Sequence, residues 1–447
     1  MKFLIIIHNL FSLFVEKSFF QIKKKENIQK VFLIAAALVS GVFSVAYAKL
    51  FKLSEEIFSR YLNDKKEFVF LITPILFLLS WWIVHRFSKE SSGSGIPQVL
   101  LANEINDDSS DKKYIRALLS MKIVIFKTLS SVICVMGGGA IGREGPTIHI
   151  SASIFYIFGK KIKQFLPESK SHMWIITGAS AGLAAAFNTP LGGIIYAIEE
   201  LGSNHFSKIR TSLLIAVITS GLISLWLNGN YLYLGFPIIT YNGLSVIWGA
   251  VLIGLATGLT GGVFSQLLFQ LTKARRKIKS TVKMIFLTLI CGLLMASLIY
   301  YNSKSAGTGI ELINDLLFHN QLSNFTHVCT RFLGTMITYL AGTAGGIFSP
   351  SLSIGGSIGG YFAVLFDFSD RNIFVLLGMI GFLTGVTKTP FTSFILVFEM
   401  TNVHTSIFSM MISALVAQFS SNLISHKSFY EQMKMVYHEE FQVKNNC

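Results

Sequence analysis

The amino-acid sequence predicts an all-α, polytopic membrane protein with broken and re-entrant helices arranged as two repeated halves. Three observations predict it. The chain is apolar and poor in charge. Several of its apolar runs are long enough to cross a bilayer. Its shorter apolar segments are interrupted by glycine and proline in a pattern that recurs.

Of the 447 residues, 52% are hydrophobic and 14% are charged, and the mean hydropathy is +0.58. A soluble domain carries roughly 25% charged residues, so this chain cannot wet its own surface and must hide much of it in lipid. Six apolar runs agree: Val31–Ala48, Phe68–Val84, Leu213–Leu227, Trp248–Leu271, Ile285–Tyr301 and Ile407–Ile424. A helix that spans the hydrocarbon core needs about 20 residues.

The formal charge of +15 does not point to nucleic acid, because the basic residues cluster beside apolar runs. Lys23, Lys24, Lys25 and Lys30 precede the first run, and Lys273, Arg275, Arg276, Lys277 and Lys279 separate two others. Basic residues favour the cytoplasmic side of a membrane. The N-terminus and the 273–283 loop are therefore expected in the cytoplasm. The opening MKFLIIIHNLFSLFVEK lacks a small-residue cleavage site and leads into a basic stretch, which argues for a retained helix, one that could lie on the membrane surface, rather than a signal peptide.

The shorter segments are Thr147–Phe158, Trp174–Phe187, Leu191–Leu201, Ser351–Phe366 and Phe391–Met400. Short, Gly/Pro-interrupted segments mark transporters whose broken helices end inside the membrane. They also repeat. Gly182-Leu-Ala-Ala-Ala-Phe-Asn-Thr-Pro190 with Glu199 matches Phe382-Leu-Thr-Gly-Val-Thr-Lys-Thr-Pro390 with Glu399, both pairs offset by 200 positions (390 − 190 = 399 − 199). Upstream, Gly142-Arg-Glu-Gly-Pro146 parallels Gly346-Ile-Phe-Ser-Pro350. The organisation expected is a cytoplasmic segment at 1–30, a transmembrane domain at 31–435 with halves at about 31–228 and 244–425, and a tail at 436–447. Sequence alone does not orient the halves; inversion is the usual arrangement for matched broken helices. The polar stretch Asn103–Lys113 reads as a loop, and no soluble domain fits after Glu440.

Four cysteines (Cys134, Cys291, Cys329, Cys447) form no CxxC pair, and ten histidines, His149 among them, show no metal spacing. The cysteines read as small core residues. No cofactor or metal is expected.

Three motifs carry the chemistry: Gly93-Ser-Gly-Ile-Pro97, Gly142-Arg-Glu-Gly-Pro146 and Gly346-Ile-Phe-Ser-Pro350. Each offers glycine for unusual backbone angles, then proline for a first helical turn. A helix that starts there aims free N–H groups outward with about half a positive charge. Several such ends converging make an anion site, and one that lets the ion leave again, as conduction requires. Ser94 adds a hydroxyl donor.

Glu144 sits between glycines in apolar surroundings, where a carboxylate is costly and functional by default. Being an anion, it could fill the anion site itself and leave when protonated. An ion pair with Arg143 is disfavoured, because adjacent residues do not face each other on a helix; Arg143 more naturally satisfies carbonyls. Glu199 and Glu200 end an apolar helix, and spacing leaves two readings: a proton relay toward Glu144, or a solvated helix end. As the repeat counterpart of Glu399, Glu199 could be structural, leaving Glu200 distinct. Lys388 could line a cytoplasmic vestibule or cap a loop.

In this order, GSGIP (93–97), GREGP (142–146) and GIFSP (346–350) resemble the three anion-site motifs of the CLC family of chloride channels and transporters. The stretch from Gly182 to Glu200 resembles the family's segment leading to its internal proton glutamate, and Leu396-Val-Phe-Glu-Met-Thr401 and Lys427-Ser-Phe-Tyr430 resemble its C-terminal signatures. The resemblance covers about 30–435. It implies an all-helical inverted repeat and a homodimer with one pore per subunit. It further implies that Ser94 and Tyr430 bind chloride through their hydroxyls, with Gly95 and Ile96 also among the chloride-binding residues. Ile347 and Phe348 would donate backbone N–H groups. Glu144 would be the gate, Glu200 the internal proton-transfer residue and Glu199 its neighbour on the water path.

The internal glutamate is usual in the family's exchangers and usually absent from its channels. Ser94, where nitrate-preferring members carry proline, and an intact GREGP argue for chloride. Ser349, where many relatives carry alanine, departs from the pattern and adds a hydroxyl near the site. The expected function is therefore chloride/proton antiport, with a voltage- or proton-gated chloride channel of the same fold as the alternative. The expected setting is a bacterial inner membrane, with both termini cytoplasmic, the lipid bilayer as surroundings and no nucleic-acid partner. A membrane enzyme is disfavoured, since there is no HExxH and no intramembrane aspartate pair; a pure scaffold would not need charges inside broken helices.

Overall fold

Inside a bilayer every backbone N–H and C=O must find a partner within the protein, which leaves helices or closed barrels. The chain takes the helical solution. The computed structural model describes residues 2–105, 112–202, 206–229, 232–239, 243–368 and 370–445, with side chains between 25 and 442 except at 206–208 and 244. Extended pairing among these residues is limited to two isolated β-bridges, Gly93 with Ala344 and Gly142 with Gly346.

The first set of helices is α1 (Lys2–Asp64), α2 (Val69–Phe87), α3 (Ile96–Glu104), α4 (Lys112–Leu118), α5 (Met121–Met136), α6 (Glu144–Ile162), α7 (Ser171–Phe187), α8 (Pro190–Glu199) and α9 (Phe206–Asn228). The second is α10 (Leu244–Arg276), α11 (Thr281–Tyr301), α12 (Ile310–Phe318), α13 (Phe325–Leu340), α14 (Phe348–Leu365), α15 (Arg371–Thr387), α16 (Pro390–Thr401), α17 (Ile407–Asn422) and α18 (Phe429–Asn445).

Among the described residues six stretches are long and apolar enough to cross a membrane: Lys25–Asp64, Lys66–Phe87, Lys112–Met136, Ile209–Asn228, Ser245–Arg276 and Thr281–Tyr301. Five contain runs expected from sequence. The sixth expected run, 407–424, forms α17, an apolar helix of 16 residues that is shorter than these six stretches. The stretch 112–136, shared by α4 and α5, lies outside the expected runs, because Lys122, Lys127 and a group of serines break its apolar pattern. Large apolar side chains such as Leu71, Ile75, Leu222, Trp226, Trp248, Phe286 and Leu294 are exposed. An apolar surface of that extent needs lipid or protein to cover it. The chain is an integral membrane protein.

The short segments expected to be broken helices are α6, α7, α8, α14 and α16. Of these, α6, α7 and α14 are buried on nearly every face, whereas α8 and α16 expose Leu191 and Phe391 in their first turns. Such helices pack through small residues, as membrane helices do. Gly355 and Gly359 of α14 face Gly378 of α15, and Gly258 and Gly261 of α10 face Gly385.

The matched Thr-Pro segments adopt matched conformations. α7 ends at Asn188 with φ 57° and α15 ends at Lys388 with φ 61°. Pro190 and Pro390 then open α8 and α16, where proline costs no hydrogen bond. Each of these helices caps the other. Glu199 accepts from the N–H groups of Phe391 and Thr392 at 3.1 and 2.7 Å. Glu399 accepts from those of Leu191 and Gly192 at 3.0 and 2.7 Å.

Two expected boundaries do not coincide with helix ends. α1 runs from Lys2 to Asp64 across residue 30, and α18 carries the expected tail from 436 as far as Asn445. Tyr437 and Phe441 are buried, and the Tyr114 hydroxyl donates to the Phe441 carbonyl. The polar pattern of this stretch hid the apolar stripe that docks it. Within Asn103–Lys113, residues 106–111 lie outside those described; Asn103 and Glu104 end α3, and Lys112 and Lys113 begin α4.

Candidate functional site

Each glycine motif turns the chain into a helix start. Gly95, at φ +99°, precedes α3, whose first residues are Ile96 and Pro97. GREGP starts α6 at Glu144, and GIFSP starts α14 at Phe348. The three loops are joined through backbone. The Gly93 N–H donates to the Thr343 carbonyl at 2.9 Å, and the Gly345 N–H to that of Gly93 at 3.1 Å. Gly142 and Gly346 exchange N–H···O bonds of 2.7 and 2.8 Å. The N-termini of α3, α6 and α14 are thereby brought to one place, where their unsatisfied amides and dipoles favour an anion.

Two buried side chains brace the first loop. Lys127, fully buried in α5, donates to the carbonyls of Ser91 and Gly93 at 2.8 and 2.9 Å. The Tyr339 hydroxyl of α13 accepts from the Ser94 N–H at 3.3 Å. Neither residue stands in a recognisable motif, so sequence reasoning missed both. A lone lysine inside an apolar span was the available signal.

The Ser94 side chain packs against Gly145 of the second motif. Its hydroxyl and that of Tyr430 are buried, and neither makes a well-formed hydrogen bond with the protein. A buried hydroxyl ordinarily has a partner; two left over beside converging helix starts can serve an anion as donors. Ile347 and Phe348 are buried at the third motif, and Phe348 packs on Phe187 with ring centroids 5.5 Å apart.

Glu144 is fully buried. Its carboxylate accepts from the Ser349 hydroxyl at 2.6 Å, from the Ser349 N–H at 3.4 Å and from the Tyr233 hydroxyl at 3.3 Å. It thus reaches across to the start of α14. Arg143 donates to the Ala48 carbonyl at 3.1 Å and lies over the Tyr233 ring.

Glu200 follows α8 and lines a cavity of about 1170 Å³ together with Glu199 and Lys388. Tyr196, one turn earlier and buried, has an unpartnered hydroxyl. It lies within electrostatic reach of both Glu200 and Tyr430. Sequence reasoning missed it, as a single tyrosine in an apolar helix looks like core. Tyr430 in turn lies within reach of Glu144 and of Glu200.

Ser94, Gly95, Ile96, Glu144, Ile347, Phe348 and Tyr430 are therefore brought together, and Tyr196 lies within electrostatic reach of both Tyr430 and Glu200. Glu199 differs: its carboxylate is committed to the start of α16, although the residue also lines the cavity. Lys388 both ends α15 and lines that cavity, and its ammonium nitrogen is buried without a partner.

Comparison with known proteins adds the following. Residues 76–422 match the family model described as voltage gated chloride channel. Over 380 residues the chain is 27% identical to the H(+)/Cl(-) exchange transporter ClcA of Vibrio parahaemolyticus, covering 81% of this chain and 78% of that one. Over 456 residues it is 26% identical to the transporter of the same name from Salmonella paratyphi B, covering 94% and 93%. The solved structure of a slow cyanobacterial Cl-/H+ antiporter superposes with a TM-score of 0.80 at 24% identity, over 93% of this chain and 98% of that one. A CLC-type fluoride/proton antiporter superposes with a TM-score of 0.75 at 21% identity, over 91% and 97%.

Proposed function

The chain belongs to the voltage gated chloride channel family, and we propose that it is an antiporter that moves chloride across a membrane in exchange for protons. The observation that carries this reading is the Glu144 carboxylate, buried where three helix starts converge and held by Ser349. A carboxylate there competes with chloride for the same donors. Protonation would remove its charge and its claim on them, letting chloride in. One group would then act as gate and as proton carrier.

The rest of the site supports the same sequence of events. Ser94 and Tyr430 would donate hydroxyl hydrogens to chloride, Ile347 and Phe348 would donate backbone N–H groups, and Gly95 and Ile96 would frame the first loop. Helix ends and hydroxyls attract an anion without the full charge that would trap it. Glu200 would pass protons between the large cavity and Glu144, with Tyr196 and Tyr430 between them. Glu199 would hold α8 against α16 and face the water path.

We further infer that the halves run from about 31 to 228 and from 244 to 425, inverted relative to each other. The chain is read as a homodimer, one pore per subunit, in a bacterial inner membrane with both termini cytoplasmic. It acts by binding and release rather than as an enzyme. Purified protein in sealed liposomes tests the main reading. A chloride gradient, with voltage set by an ionophore, should drive protons uphill. Chloride efflux with no proton movement would make the protein a passive chloride channel.

A further inference from the structure

A second cavity, of about 710 Å³, lies where the ends of α2 and α10 meet α11 and α18, and Arg275 lines it. Arg275 is 8% exposed, and its Nε is buried without a partner. Among the described residues its guanidinium forms no ion pair and no hydrogen bond, and Glu440, which lies within electrostatic reach, is taken by Arg276. Its neighbour Arg276 is fully answered. That guanidinium donates through two nitrogens to the Glu440 carboxylate and sits 4.1 Å from the Tyr437 ring centroid. The other two carboxylates lining the cavity, Glu90 and Glu439, do not pair with Arg275.

A buried charge without a counter-charge is costly. A guanidinium so placed is accounted for when an anion from outside the chain completes it. We propose that this cavity binds a phosphate group, with Arg275 as its central ligand and Lys279 and Lys89 as flanking charges. The rigid fork of arginine matches phosphate oxygens two at a time. The cavity is far larger than a halide needs, and its wall includes the stacked pair Trp81 and His85, 4.7 Å apart. A phosphate bearing an organic substituent fits both features. The cavity lies on the face carrying the basic 273–279 segment, beside exposed Trp82 and Phe87 at the end of α2. Aromatic residues at such ends sit at headgroup depth.

The site abuts the scaffold of the first and third motifs. Arg275 packs against Gly342, which is held in the left-handed region at φ +83°. The Gly342 carbonyl accepts from the Ser92 hydroxyl at 3.2 Å, and the Ser92 carbonyl accepts from Gln98 at 2.8 Å. An occupant would brace the loop that precedes Ser94.

Calorimetric titration of the purified full-length protein in detergent tests this, with dioctanoyl phosphatidic acid, dioctanoyl phosphatidylcholine and inorganic phosphate as separate probes. Phosphatidic acid should bind saturably, about tenfold more weakly to Arg275→Gln and severalfold more weakly to Lys279→Gln, as expected for loss of charge-assisted contacts. Phosphatidic acid binding without inorganic phosphate binding assigns a lipid headgroup. Binding of both, with the same losses in the variants, assigns the phosphate itself. Affinity that is unchanged in the variants, or equal for phosphatidylcholine, overturns the proposal. Should Arg275→Gln fail to fold, Lys279→Gln combined with Lys89→Gln decides: both lysines are exposed, and an affinity they leave unchanged overturns the proposal too.

Discussion

The hydroxyl of Ser349 donates to the buried carboxylate of Glu144 at 2.6 Å, joining the first turn of α14 to the first turn of α6. A hydrogen bond to a charged group contributes roughly 1.5–3 kcal/mol. On the proposed reading it holds Glu144 in the position chloride would take. Ser349→Ala removes that hydroxyl and leaves the backbone N–H in place. Chloride turnover in liposomes should rise about tenfold or more, with proton coupling retained. An unchanged rate would mean that this bond does not hold the gate.

The two adjacent carboxylates after α8 should separate by assay. Glu200 faces the cavity, whereas Glu199 is spent on the N–H groups of Phe391 and Thr392. Glu200→Gln should keep chloride flux and lose proton movement, with little change in thermal stability. Glu199→Gln should lower stability by about 1–3 kcal/mol, the cost of weakening bonds between backbone donors and an ionised acceptor. Thermal unfolding in detergent reads the second effect. Continued chloride-driven proton movement in Glu200→Gln would remove it from the proton path.

Ser94 and Tyr430 hold hydroxyls that lack a well-formed partner in the protein. If they serve chloride, removing both in Ser94→Ala with Tyr430→Phe should weaken chloride binding about tenfold in calorimetry, at roughly 0.5–1.5 kcal/mol for each bond. Equal affinity in the double variant would place the anion elsewhere.

The parts of this site that sequence made legible were those encoded locally. A helix start needs glycine and proline at fixed positions, so the loops at 93–97, 142–146 and 346–350 announce themselves. The 200-residue offset between Glu199 and Glu399 foretold a shared role, and each caps the helix that carries the other. Lys127, Tyr196, Tyr233 and Tyr339 were not legible. Lys127, Tyr233 and Tyr339 stand outside the motifs, Tyr196 sits one turn before Glu200 in an apolar helix, and nothing in their neighbours distinguishes them from core. The run at 407–424 outlasts its helix: α17 ends at Asn422, while the apolar pattern continues to Ile424.

The central claim is that Glu144 is both gate and proton carrier. Its most direct test is chloride-driven proton movement in liposomes with Glu144→Ala, recorded together with chloride efflux. The account predicts chloride efflux at least as fast as wild type and no proton movement, because the anion site is left open and the carrier is gone. Uphill proton movement that persists in Glu144→Ala would contradict it.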